Sequence, residues 1–253
     1  MRKTTLILIT LATTFSCCGQ SNNNNNTMEN SEELIKAPIS VGLGTLDISF
    51  NQPVPLYRTE NDDTPIDTLA FVRAEDGVWH YKTKNLKSFK PYKMFGGDSD
   101  EQAKAHISHG LTYFPPDLSF RVLEANDSYW RVVIDENSFE TVVIRKRTDY
   151  DMLKNRLQIP FDNSKKTYKG SYAYEIWEDL LKRAYFVNFN GNYAVYNAPE
   201  GKKIFEKTNS DSYKVTEVSG DWVKIERNGR HEGWAKWKSD TEILIDIVER
   251  VYM

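Results

Sequence analysis

The stretch Gly220 to Trp237, Gly-Asp-Trp-Val-Lys-Ile-Glu-Arg-Asn-Gly-Arg-His-Glu-Gly-Trp-Ala-Lys-Trp, constrains this chain more than any other. β-formers flank Asn228-Gly229, and both central residues tolerate the positive φ that a tight hairpin turn requires. The stretch therefore reads as two antiparallel strands. Two registers compete. A two-residue loop, Asn228-Gly229, sets Arg227 opposite Arg230 and Ile225 opposite Glu232. A three-residue loop with a left-handed Gly229 pairs Glu226 with Arg230, Lys224 with Glu232 and Trp222 with Trp234. Facing opposite charges and aromatic pairs contribute roughly 0.2–1 kcal/mol each, and like charges oppose pairing. The three-residue loop is thus expected, with Val223 and Ile225 turned toward a core. A one-residue slip would exchange the faces.

Gly-x-Trp-x-x-Ile, then Asn-Gly, then Gly-Trp-Ala resembles the end of a bacterial SH3-like (Src-homology-3-like) domain. Tyr193-Ala194-Val195-Tyr196-Asn197-Ala198-Pro199 is similar to that family's opening strand and turn, with Ile204–Lys207 and Tyr213–Val218 between. The resemblance covers the last quarter of the chain. It implies a small β-barrel over 191–253 and a binding role. Asn197 stands where the family usually has Arg or Lys, so the family's ligand site does not carry over whole.

An internal echo extends this reading upstream. Tyr129 falls where Trp222 does, Arg131 where Lys224 does and Val132 where Ile225 does; Leu56-Tyr57-Arg58 mirrors Val195-Tyr196-Asn197. A diverged SH3-like barrel is expected over 38–148, carrying a polar insertion at 82–116. Within the insertion, Ser99 to Gln102 has the form of a capping box, predicting a short helix closed by Gly110. Between the barrels, 149–190 is expected to be a helical connector. Tyr174, Trp177, Leu180, Leu181 and Ala184 share one face over Ser171–Ala184, to be buried between the barrels. The fold class is mainly β, two small barrels joined by an amphipathic helix.

The start carries a different signal. Arg2-Lys3 precedes a short apolar run, Leu6 to Phe15, too short to span a bilayer. It ends at Phe15-Ser16-Cys17-Cys18-Gly19, which resembles a bacterial lipoprotein processing site. The expectation is a signal peptide over 1–17, lipid attached at Cys17 (Cys18 is the alternate), and an Asn-rich tether over 18–37. The competing reading is an ordinary cleaved signal peptide; both send the chain out of the cytoplasm, and the lipid anchor would hold it at the cell envelope.

Composition removes several functions. Both cysteines lie in the leader, leaving the folded part no disulfide, cysteine ligand or cysteine nucleophile. Many cell-wall enzymes that carry barrels like those it resembles pair them with a Cys-His peptidase domain, and the folded part here has no cysteine to serve as that nucleophile. Net charge is −3 with the signs interleaved, and no basic stripe suits nucleic acid. No phosphate loop, dinucleotide glycine pattern or Gly-x-Ser-x-Gly elbow occurs. Gly97-Asp98-Ser99-Asp100 resembles the nucleophile block of some esterases, but no buried strand precedes it, and Ser99 reads as a helix cap. His106 and His109 have metal-compatible i, i+3 spacing without a third ligand motif, and histidines in a helix's last turn are an ordinary feature. No catalytic residue, metal or cofactor is assigned.

A binding surface remains. Trp222, Trp234 and Lys224 share one hairpin face, with Tyr196 and Tyr193 expected to line the same groove. The expected partners are a peptidoglycan peptide or an envelope protein, with the membrane reached through the lipid anchor. The alternatives are a metal-dependent hydrolase built in 82–116 and a scaffold without a small ligand. Equally, the tryptophans could pack under neighbouring loops.

Overall fold

The computed structural model describes residues 34–49, 52–73, 79–95, 117–159, 170–208 and 211–249. The expected leader with Cys17, most of the expected 18–37 tether, and the segment 99–110 for which a helix with His106 and His109 is expected lie outside them. The described chain is mainly β with one α-helix.

Two sheets share one strand plan. In the first, β2 (Gly44–Ser49), β7 (Asp117–Ala125), β8 (Tyr129–Asp135) and β9 (Glu140–Arg145) are successive neighbours, and β11 (Ser171–Ile176) lies on the far side of β2. In the second, β12 (Phe186–Phe189), β15 (Ser212–Ser219), β16 (Trp222–Arg227) and β17 (Arg230–Lys236) take that order, with β18 (Ile245–Val248) beyond β12. The correspondence continues past the last hairpin. β3 (Val54–Leu56) pairs with β4 (Asp67–Arg73) and meets β9 through the bridge Tyr57↔Val143. β13 (Tyr193–Tyr196) pairs with β14 (Lys203–Lys207) and meets β17 through Tyr196↔Trp234. Every matched pair is antiparallel.

Register makes the match residue by residue. β7 shifts register between Val122 and Glu124, so Glu124 faces Arg131; β15 shifts between Val215 and Glu217, so Glu217 faces Lys224. Arg131 thus corresponds to Lys224, Tyr129 to Trp222, Val143 to Trp234 and Tyr57 to Tyr196. Tyr129 pairs with Arg145 and Trp222 with Lys236, which aligns those two cations as well.

Four short strands add to the first unit alone: β1 (Ile35–Lys36) on β9, β5 (Trp79–Lys82) on β4, β6 (Lys93–Phe95) on β7 and β10 (Asp151–Leu153) on β11. Among the described residues no sheet closes into a barrel, so in place of the two barrels expected from the sequence there are open sheets of eight and seven strands, with β3, β4 and β5 forming a third, three-stranded sheet beside the first. The end of the expected tether is also recruited, as Ile35 pairs with Thr141.

The segment 149–190 is not a free connector. Ser171–Ile176, expected as the first turns of a helix, is instead a strand with Tyr172 and Ala173 fully buried. Its partner β2 offers a complete ladder, which outweighs the weak 3.6-residue periodicity. Helix α1 covers only Trp177–Arg183. It buries Trp177, Leu180 and Leu181 in the second core, where Val41 and Tyr92 join from the first half. The Trp177 Nε1 donates to the Val41 carbonyl at 3.1 Å, and Tyr92 meets the Trp177 ring edge-on at 5.7 Å. The first core holds Leu46, Ile48, Phe120, Trp130, Val132 and Tyr172, all fully buried.

The 82–116 insertion begins as part of that core. Its described portion packs Leu86 and Phe89 on the first sheet. The Asp67 carboxylate accepts the N–H groups of Lys84, Asn85 and Leu86, fixing the path. Burial alone would raise the Asp67 pKa, but these N–H donors hold it below the usual range.

A buried charge cluster lies where the last strand ends. Lys93 Nζ meets Glu249 Oε1 at 3.0 Å, and Arg183 Nη2 meets Glu249 Oε2 at 2.7 Å and Glu175 Oε2 at 2.6 Å. Burial pushes the Glu249 carboxyl up, but Lys93, Arg156 and Arg183 outweigh it and hold the group ionised well below its ordinary value. Asp47 lies beside Lys93 in the sheet, through Ser119, and one of its oxygens has no hydrogen-bond partner. Burial, then the Glu249 charge, raise its pKa, with Lys93 and Arg156 opposing.

Candidate aromatic and cationic face of the second sheet

The hairpin that carries the expected site closes differently from its predicted form. Asn228 and Gly229 have φ of 51° and 75°, a two-residue turn of the type whose twist matches the strands. Arg227 therefore faces Arg230 and Glu226 faces His231. The repulsion is blunted because Arg227 Nη1 reaches Asp211 Oδ2 at 2.5 Å. The extra residue enters later, between His231 and Gly233, so that Lys224 faces Trp234 and Trp222 faces Lys236. Trp222 does not face Trp234, and Lys224 does not face Glu232. Over the outer half the offset is two residues, an even number. The faces survive, and Val223 and Ile225 are fully buried.

Gly233 makes this bulge possible. Its φ is 135°, and an added Cβ would lie 2.5 Å from the Tyr196 carbonyl oxygen. Close approach of β13 to β17 at that point brings Tyr196 onto the hairpin.

Four of the five expected residues come together on the outer face. Tyr196 meets the Trp222 ring edge-on at 5.0 Å. Lys224 Nζ stands 6.0 Å from the Trp234 ring centre and also pairs with Glu217. Trp222 is only 7% exposed and Trp234 is half-buried, so Trp222 is the floor of the face and Trp234 its accessible wall. The covering of Trp222 is local: Tyr196 on one side and Lys236 Nζ 5.3 Å over its ring.

Tyr193 is not on this face. Its ring stacks on Phe189 at 4.0 Å and belongs with the second core. Its hydroxyl donates to the Tyr213 hydroxyl at 2.5 Å, and Lys207 Nζ donates to the same oxygen at 2.9 Å. Burial pushes the Tyr213 hydroxyl up to about 12 and also raises that of Tyr193. This network ties the rim of the core and leaves no ring free to stack a ligand.

Lys236 is the residue that sequence reasoning missed. It is exposed, shares the face, and among the described residues its ammonium meets only the Trp222 ring. The internal echo would have found it if carried two residues past Val143 and Trp234, to Arg145 and Lys236. Among the described residues no group of three or more His, Cys, Asp or Glu is arranged to hold a metal ion, and no helix is long and apolar enough to cross a membrane. Comparison with protein-family models, curated proteins and solved structures finds no match to this chain.

Proposed function

We propose that this chain is a non-catalytic lipoprotein of the cell envelope that binds a cell-wall peptide or a partner protein. Its leader sequence, with Cys17 after a short apolar run, supports export and a lipid anchor. The seven-strand plan, present twice, supports reading each unit as a diverged, opened SH3-like domain.

The observation that carries the binding role is the outer face of β13, β16 and β17. It sets half-buried Tyr196 and Trp234 beside Lys224 and Lys236 over a tryptophan floor. Flat aromatic walls with nearby cations hold extended peptides by stacking and hydrogen bonds without needing a deep pocket. The test is co-sedimentation of purified protein with peptidoglycan, alongside capture of envelope proteins. Trp234→Ala with Tyr196→Ala should lower whichever binding is seen by at least tenfold; uncovering Trp222 should lower the melting temperature while the variant stays folded and still unfolds cooperatively. Retention of both binding activities in that double variant would sink the role of this face.

A further inference from the structure

The first unit carries the same face, and it is occupied by the chain itself. The β3–β4 connector, 57–66, is longer than its counterpart, 197–202, and its turn Arg58–Asp62 lies against the sheet. Arg131 Nη2 pairs with the Glu60 carboxylate at 3.0 Å, and its Nη1 donates to the Arg58 carbonyl at 3.4 Å. Arg145 donates to the carbonyl of Glu60 at 2.9 Å and to that of Asp62, with its guanidinium 3.9 Å over the Tyr57 ring. The turn is pre-shaped: the Asp62 carboxylate accepts the N–H groups of Arg58 and Thr59. Two cations and a tyrosine thus clasp one acidic turn.

The second unit keeps the clasp and lacks the turn. Lys224 stands for Arg131, Lys236 for Arg145 and Tyr196 for Tyr57. The 197–202 connector closes on itself, with Lys202 N–H donating to Asn197 Oδ1 at 2.8 Å and Gly201 N–H to the Ala198 carbonyl at 2.9 Å. It is too short to lie over the lysines. Lys236 is left with a ring and no carboxylate or carbonyl among the described residues. Glu217 holds Lys224 as Glu124 holds Arg131, and Arg131 still accommodates Glu60 beside Glu124.

From this we infer that the second face receives an acidic turn of a partner protein, in the way the first face receives residues 58–62. The inference rests on the proposed binding role and adds the chemistry of the occupant: a carboxylate set between Lys224 and Lys236, and main-chain carbonyls over Tyr196 and Trp234. Charge-assisted hydrogen bonds to carboxylate and carbonyl supply the specificity. The aromatic wall, larger here than the Val143 of the first unit, replaces the contact area that a covalently attached turn gets from its own chain.

The probe is a fluorescent peptide with the sequence of residues 58–64, capped at both ends and titrated with purified protein at low salt. Saturable binding is expected. It should weaken at least tenfold in Lys224→Gln with Lys236→Gln, recover in Lys224→Arg with Lys236→Arg, and weaken equally when the peptide's acidic residues become amides. Glu217→Gln should strengthen it severalfold by releasing Lys224. Absence of saturable binding, or binding indifferent to the lysine pair, overturns the inference. Failure of the peptide while peptidoglycan is still held through Trp234 and Tyr196 rejects the acidic turn and leaves the binding role standing. Failure of peptide, peptidoglycan and envelope-protein capture together removes both.

Discussion

The two seven-strand units differ most where their sequences match best. On the first, arginines at 131 and 145 are engaged by the chain's own connector, and the face is closed. On the second, lysines at 224 and 236 flank a tryptophan wall that no described segment covers. Arginine suits the closed face because its planar fork can serve several fixed carbonyls and a carboxylate at once. Lysine suits an open one, because its ammonium is strongly hydrated and stable in water. The same strand plan therefore yields a structural clasp or a docking face, depending on the length of one loop.

The sharpest way to break the correspondence is at the bulges, which lie on opposite strands. In the first hairpin the extra residue is on β8, between Val133 and Asp135; in the second it is on β17, before Gly233. Val142 occupies the position matching Gly233 and needs no special backbone. Gly233→Val should cost about 3 kcal/mol or more, because its Cβ meets the Tyr196 carbonyl at a φ few side chains adopt. Urea unfolding measures it; a loss under about 1 kcal/mol would mean that β13 does not sit where described.

The clasp itself gives a second contrast. Arg145→Ala should cost about 1–3 kcal/mol, since it leaves the carbonyls of Glu60 and Asp62 short of a charged donor and uncovers Tyr57. Lys236→Ala, at the matching site, should stay within about 0.5 kcal/mol. Limited proteolysis should also cut Arg145→Ala within 58–62 first. Equal costs at the two positions would mean that Lys236 is held by something and that the second face is not free.

A third contrast lies on the covered side of the first sheet. Asp47 faces Ser119 as Asn188 faces Ser212. Asn188 is half-buried and accepts the Ser212 hydroxyl at 2.8 Å, whereas Asp47 is 2% exposed beside Glu249. An acid whose pKa is raised on folding binds more protons folded than unfolded. Its stability contribution is thus greatest at or below the ordinary carboxylate range and falls as pH rises through the raised value. Asp117, whose carboxyl burial pushes up to about 6, adds a loss of the same sign between about pH 4 and 6. Asp47→Asn, which copies the second unit, should gain on the order of 1–2 kcal/mol at pH 8 and nothing at pH 4. Melting temperatures across that range decide it; a loss at pH 8 would show that the charge is needed by Lys93.

What could be read from the sequence was what short, local chemistry dictates. The Asn228-Gly229 turn, the inward Val223 and Ile225, and the matches of Tyr57, Arg131 and Val132 were all visible as residue types at fixed spacing. The strand at Ser171–Ile176 was not, because Tyr174 joins Trp177, Leu180 and Leu181 in a helical stripe, and only the β2 ladder overrides it. Tyr193 was assigned to the wrong side for a related reason. It flanks Tyr196 by three residues, an odd step that in a strand reverses the face. Burial of Trp222 depended on Tyr196, from a strand outside the hairpin, and on the register that sets Lys236 over its ring.

The smallest effect tests the register most cleanly. In the observed pairing Arg230 faces Arg227; in the three-residue alternative it would face Glu226. Arg230→Glu should therefore stabilise the protein by roughly 0.2–1 kcal/mol at low salt, by removing a like-charge pair. The alternative register predicts the opposite sign, since the new carboxylate would then oppose that of Glu226. The gain should shrink with added salt, because both partners are exposed and the pair is screened. A destabilisation that shrinks with salt in the same way would move the bulge back to Gly229. It would bring Trp222 opposite Trp234 and move Lys236 along the same face to a place opposite Gly220, off the Trp222 ring.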